Sequence, residues 1–271
     1  MSKKELKISQ LKAPKIALDI FKKFAGNGKA IDKDAEKNAL SAVQKSLDAY
    51  GSNIFAIRVN MPSGDIVWSN NMASVLGRKD VVRYDQFEFA FHPDYVDAYN
   101  FWSTCLFEQI AVRQLDFEGI VFHIRVPFKN QETNKVYWYN QSSIALIADS
   151  AGDVLSFLSI YTFDCEWFEN NPIIMIPSIS FKNKQSPLDI ELKMSGGVKI
   201  LNNEFTEMER NILGCYIDNI KPSERFKTMS QNTINGHNVN IIKRAKSIFK
   251  FEFTKASAVA QFMKANHLWA I

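Results

Sequence analysis

The sequence predicts an α+β protein in two parts: a five-stranded antiparallel sheet with flanking helices, then an all-α unit of four helices at the C-terminal end. Three observations lead there. Five β-type runs come in the order strand, strand, helices, strand, strand, strand, with turn residues between them, which is how an antiparallel sheet with helices gathered on one face reads. From Thr206 onward the apolar residues recur at helical spacing instead. Charge is also unevenly placed. Residues 1–200 balance 23 Lys and Arg against 23 Asp and Glu, residues 201–271 carry 10 against 6, and the whole net charge of +4 therefore belongs to the C-terminal quarter.

Composition bounds the function classes. A chain of 271 residues that is 46% hydrophobic and holds 21 Phe can build two cores. The opening segment is basic and lacks an apolar run of signal-peptide length, and no window of about 18 apolar residues exists, so neither export nor a membrane span is expected. Cys105, Cys165 and Cys215 lie far apart and read as buried free thiols in a reducing cytoplasm rather than a disulfide framework or a zinc site. No Gly-rich phosphate loop, nucleophile elbow or His-Glu-x-x-His motif is present. The sequence therefore gives no catalytic residue, no metal site and no cofactor, and it does not read as an enzyme.

Residues 1–50 read as an N-terminal helical extension. Ile16, Ala17, Ile20, Phe21 and Phe24 fall at helical spacing after Pro14, and Leu40, Val43 and Leu47 share a face of a second helix over about 34–50. That second helix is expected to pack on the sheet domain or on its copy in a dimer. Residues 51–166 form the sheet domain. Ile54–Asn60 and Ile66–Trp68 flank a turn at Met61-Pro62-Ser63-Gly64-Asp65. Short helices follow at Asn71–Leu76 and from Pro93. Three longer runs, Leu115–Phe128, Val136–Ala148 and Val154–Cys165, are then separated by turn-rich segments at 130–134 and 149–153. Residues 167–200, with three prolines and Gly196-Gly197, read as a linker with room for a strand or two of its own.

In residues 201–271, Thr206 and Glu209 make a capping box ahead of the stripe Ile212, Leu213, Tyr216 and Ile217. A short helix follows near Pro222–Lys227, where Pro suits the first helical position. A longer helix opens at Ser230 with Ile234, Ile241, Ile242, Ala245, Ile248 and Phe249 inward, and Thr254 or Ser257 opens the last. Two short helices, a tight turn and a longer helix form a helix-turn-helix arrangement.

Two resemblances attach to these segments. Over about 115 residues the order of elements in 51–166, with Phe91-His92-Pro93-Asp94 opening a helix and the hairpin Ser63–Asn71, resembles a PAS domain. That resemblance implies a sensory or dimerising role, with room for a small apolar ligand in the sheet concavity. Haem ligation is not expected of His92, which belongs to the turn, nor of His123, which alternates onto the more polar strand face.

Over about 65 residues, Thr206-x-x-Glu209-x-x-x-Leu213, then Ser230-x-x-Thr233-Ile234-x-x-His237-x-x-Asn240-Ile241-x-Lys243-Arg244, then Ala258-Val259, resemble the LuxR-type helix-turn-helix domain. The resemblance implies double-stranded DNA as partner, a homodimer on paired half-sites, and transcriptional regulation. By position, Asn235, Gly236 and Val239 fall where that family touches bases, and Thr233, Lys243 and Arg244 where it touches phosphates. Asn238, one turn from Asn235, is added to the base-contact set. The stretch from Thr206 to Thr233 is about two residues shorter than in that family, and the loop between Arg244 and Ala258 is longer. The helix face that usually offers Lys or Arg to base edges here offers Asn235, Gly236 and Val239, which weakens the phosphate term. The alternative is a sensor or scaffold acting through protein partners, its C-terminal bundle not binding DNA.

Overall fold

Six of the seven side chains of β1 (Ile54–Asn60) are buried, so this strand lies inside a sheet and not at its edge. The computed structural model describes residues 54–78, 81–113, 120–148, 154–167, 175–181, 184–185 and 187–269, together with Ser41, Gln44, Lys45 and Leu47. By its contacts the chain divides into two units, Met1–Phe168 with Met175–Ser186, and Glu169–Ile174 with Pro187–Ile271. The helix expected after Pro14 and the turn at 149–153 lie outside the described residues.

In the first unit β1 pairs antiparallel with β2 (Ile66–Asn70) on one side and β5 (Val154–Glu166) on the other. β5 pairs with β4 (Val136–Ala148), and β4 with β3 (Ile120–Lys129). Between β2 and β3 come α1 (Met72–Leu76), α2 (Tyr84–Glu88) and α3 (Pro93–Arg113). Five strands were expected in the sheet domain and the described residues hold seven: β6 (Ser178–Phe181) and β7 (Lys184–Gln185) extend the sheet beyond β3, giving the order β2-β1-β5-β4-β3-β6-β7. Both lie in the segment read as a linker, where runs of four and two residues are too short for periodicity to announce them. Of the third expected run, Leu115–Phe128, the residues from Ile120 onward lie in β3, and residues 115–119 lie outside the described residues.

Alternation gives the sheet two faces. On one, Phe55 of β1 stacks on Tyr161 of β5 with ring centroids 4.4 Å apart and meets Phe87 of α2 edge-on at 6.2 Å. Phe128 of β3 joins them, 5.6 Å from Phe55 and 5.1 Å from Phe87, so α2 is held on the sheet by an aromatic cluster. On the other face Ile54, Ala56 and Leu158 pack around Leu47, the one described apolar residue of the helix expected at 34–50. Asn130 anchors the β3–β4 turn. Its side-chain oxygen accepts from the Glu132 and Thr133 amides at 3.0 and 2.9 Å, while its Nδ2 donates to the Val75 carbonyl of α1 at 2.9 Å. Gly77 closes α1 at φ 66° beside that turn, where a Cβ would sit 2.9 Å from the Asn130 Oδ1.

The described elements of the second unit are all helices: α4 (Pro187–Glu204), α5 (Glu207–Ile217), α6 (Pro222–Arg225), α7 (Gln231–Phe249) and α8 (Ala256–Ala265). The long helix α4 replaces the second half of the expected linker. Its buried face is Asp189, Leu192, Gly196, Gly197, Ile200 and Leu201, a helical spacing in which the two glycines hide the apolar stripe from a sequence reading. Gly197 is there for space: a Cβ on it would fall on the carbonyl of Leu268, so the C-terminal segment lies directly against the α4 backbone. Among the described residues, no helix is long and apolar enough to cross a membrane.

Candidate nucleic-acid interface

The surface singled out by the sequence lies on α7. Ser230 caps it, accepting from the Thr233 amide at 3.2 Å, and its hydroxyl lies 2.9 Å from that of Thr233. Ile234, Ile241, Ala245 and Phe249 are buried and fix which side of the helix faces the domain. Gln231, Asn232, Asn235, Gly236, Val239, Asn240 and Lys243 are exposed. Val239 is 64% exposed, the most open of the large apolar side chains among the described residues. A Cβ placed on Gly236 would meet nothing within 4 Å, so no packing demand explains a glycine there.

The seven candidate residues separate into three groups. Asn235, Gly236 and Val239 share the open face, and Lys243 stands exposed two turns on, with no ion-pair partner among the described residues. Thr233 is exposed at the first turn but shares its hydroxyl with the cap. Asn238 and Arg244 are engaged inward instead. Asn238 is half-buried, and its Oδ1 accepts from the Tyr216 hydroxyl of α5 at 3.1 Å. The Arg244 Nε lies 3.2 Å from the Glu209 carboxylate, and its guanidinium also donates to the Glu204 carbonyl at 2.9 Å. The spacing that put Asn238 and Arg244 on one helix does not show which neighbouring helix takes them.

Glu209 is the residue that a sequence reading underrates. It completes the capping box, receiving the Thr206 amide on Oε2 at 2.8 Å, and the same oxygen meets Arg244. Its side chain is 1% exposed, so both donors serve a carboxylate withdrawn from water. Next to it Arg210 donates to the carbonyls of Leu201 and Phe205 at 3.2 and 2.9 Å, closing the end of α4 onto the start of α5. Gln231 was also missed: its Nε2 donates to Asn235 Oδ1 at 3.0 Å, one helical turn apart. The amide-rich run at 231–235 is the only signal in the sequence that pointed to it.

The first unit carries a second polar group, inside its aromatic face. The Tyr84 and Tyr99 hydroxyls lie 2.6 Å apart, Gln141 Nε2 is 3.2 Å from Tyr99 and 2.8 Å from Ser143, and the Ser143 and Ser159 hydroxyls are 2.6 Å apart. Gln141 is 2% exposed, and its Oε1 has no hydrogen-bond partner among the described residues. His123 sits on the opposite face, bridging Ser142 of β4 at 2.9 Å and Ser180 of β6 at 2.8 Å.

No family model and no curated protein sequence matches the chain. Among solved structures, it is similar to the Vibrio cholerae VqmA dimer without target DNA, described as a LuxR-type receptor. The TM-score is 0.32 at 10% identity, over 81% of this chain and 86% of that one. A phage VqmA–DPO complex gives 0.30 at 12% identity over 86% and 93%. The Vibrio cholerae VqmA–ligand–DNA complex gives 0.29 at 11% over 84% and 90%. These alignments run along most of each chain but superpose loosely.

Proposed function

We propose that the chain is a DNA-binding transcriptional regulator, in which a PAS-like unit with its sheet domain over 51–166 governs a LuxR-type helix-turn-helix unit. The single observation that carries the reading is the open face of α7: an exposed run of amides with Gly236 and Val239, ending at Lys243, a cation with no ion-pair partner among the described residues, on the segment that holds all the net charge. A helix of this kind fits the major groove, and the cation at its far end meets a flanking phosphate. The sheet order β2-β1-β5-β4-β3, with the helices between β2 and β3 and α3 opening at His92-Pro93-Asp94, supports the PAS-like half. The DNA-binding unit is read as starting at Pro187, since α4 belongs with it. Binding as a homodimer to half-sites about one helical turn apart follows from this reading.

The ligand expected in the PAS-like unit is amended. Gln141, Ser143, Ser159, Tyr84 and Tyr99 put a polar group inside the aromatic face, and the acceptor of Gln141, without a partner among the described residues, calls for an ordered water or a molecule that donates to it. A small molecule held there is therefore apolar over most of its surface and a hydrogen-bond donor at one point.

The test is a salt titration of the full chain on duplex DNA. Affinity that falls steeply with salt, with a slope shallower by about one unit in Lys243→Ala, supports the reading. Retention on no duplex at any salt sinks it. The scaffold alternative is favoured by one observation: Ile190, Met194 and Val198 form an exposed apolar stripe along α4 at four-residue spacing.

A further inference from the structure

We infer that the exposed face of α7 reads A·T base pairs, with Asn235 on an adenine and Val239 against a thymine methyl group. This rests on the DNA-binding reading and deepens it by naming the bases. The side chains that read guanine are Arg and Lys, which offer two donors to its O6 and N7. From Ser230 to Ile242 the helix contains neither, so the face that enters the groove carries no such group. What it does carry matches two of the other three base edges that are distinguishable there, those of adenine and thymine. Adenine presents an N6 donor and an N7 acceptor, which an amide side chain meets with both its atoms, and thymine presents a methyl group that only an apolar side chain rewards.

The geometry assigns the parts. The Oδ1 of Asn235 accepts from Gln231 at 3.0 Å, which turns the carboxamide so that Nδ2, without a partner among the described residues, is left to donate to N7. The second lone pair of Oδ1 remains for the adenine N6–H. Gln231 is thus a positioning residue for Asn235. Val239 lies one turn further on, about 6 Å along the helix axis and close to the rise of two base-pair steps. Gly236 lies between them on the same face and, with no side chain, lets the backbone approach the base edges. Charge favours the same occupant: the excess of cations falls wholly on residues 201–271, and Lys243 continues this face toward the phosphates.

The experiment has two steps and uses the full chain. Selection of bound duplexes from a random pool at low salt is expected to enrich half-sites with an adenine and a thymine within two steps of each other. In the selected site, each thymine is then replaced by uracil, which removes only the methyl group. Each adenine is replaced by 7-deazaadenine, which removes only the N7 acceptor. One uracil position is expected to weaken wild type about fourfold and to leave Val239→Ala unchanged. One 7-deazaadenine position is expected to weaken wild type about fivefold and to leave Asn235→Ala unchanged. Enrichment of G·C pairs at the half-site core overturns the inference. So do equal losses in wild type and variant at every substituted base. If the pool yields no retained duplex, the DNA-binding reading itself has failed, and that result is distinct from a selected site that reads guanine. Both residues are exposed, and an unchanged unfolding midpoint in each variant confirms that the domain is intact.

Discussion

Arg244 and Glu209 form an ion pair across α7 and α5 at 3.2 Å, and the carboxylate is 1% exposed while the guanidinium side chain is 42% exposed. The resemblance to the LuxR-type domain implies a phosphate contact for Arg244. The pair assigns it to holding α7 against the start of α5, while the same Glu209 oxygen closes the helix cap at Thr206.

Arg244→Ala is therefore expected to destabilise the helical unit by about 1–3 kcal/mol, because among the described residues it leaves the buried carboxylate with the Thr206 amide alone as donor. Urea unfolding measures this directly. Binding to DNA should fall for every sequence alike, through a displaced helix. A variant of wild-type stability whose only defect is a shallower salt slope would return Arg244 to the phosphate role.

Gly236→Ala is expected to separate stability from function. An exposed Gly inside a helix costs about 1 kcal/mol relative to Ala, and the Cβ has open space at this position. The unfolding midpoint should rise, and affinity for a selected duplex should fall. If stability rises and affinity does not change, the glycine is not there for close approach.

Gly197→Ala should act in the opposite direction on stability. The added methyl falls on the Leu268 carbonyl, a backbone group that cannot rotate away, so α4 and the C-terminal segment must separate. A loss of about 2–3 kcal/mol is expected in thermal or urea unfolding, in the range of core overpacking. A cost below that of an ordinary surface change would mean that the contact is looser than described.

The sheet unit should lose stability at high pH. Burial holds the Tyr139 hydroxyl at a pKa of about 12, against 10.0 for the free side chain, and burial raises Tyr95 as well. Between pH 10 and 12 the unfolded chain releases the Tyr139 proton and the folded chain keeps it. The unfolded state then binds fewer protons, and stability falls as pH rises. The loss from Tyr139 is about 2–3 kcal/mol across that window and is absent below pH 10. Tyr139→Phe should flatten the dependence in unfolding experiments at pH 9 and 11.5. An equal slope in wild type and variant would assign the loss elsewhere.

Periodicity determined much of this protein unaided. The run Ile54–Asn60, the turn at 130–134, the capping box at Thr206 and Glu209 and the inward stripe Ile234, Ile241, Ala245 and Phe249 are local patterns, legible because each depends on residues close in sequence. The open face of α7 follows from the same stripe, since fixing the buried side of a helix fixes the other. Tertiary structure alone decided the rest. The glycine pair at 196–197 signals a break in isolation, yet it sits inside α4 because Leu268, 71 residues later, needs the room. The segment 167–200 left room for a strand or two, but that β6 pairs on the edge of β3 and β7 on β6 is a long-range pairing that no four-residue run can announce. Asn238 and Arg244 carry the right residue types for DNA, but Tyr216 and Glu209 on another helix claim them. A side chain's partner depends on what the fold brings within about 3 Å, and sequence spacing along one helix does not contain that distance.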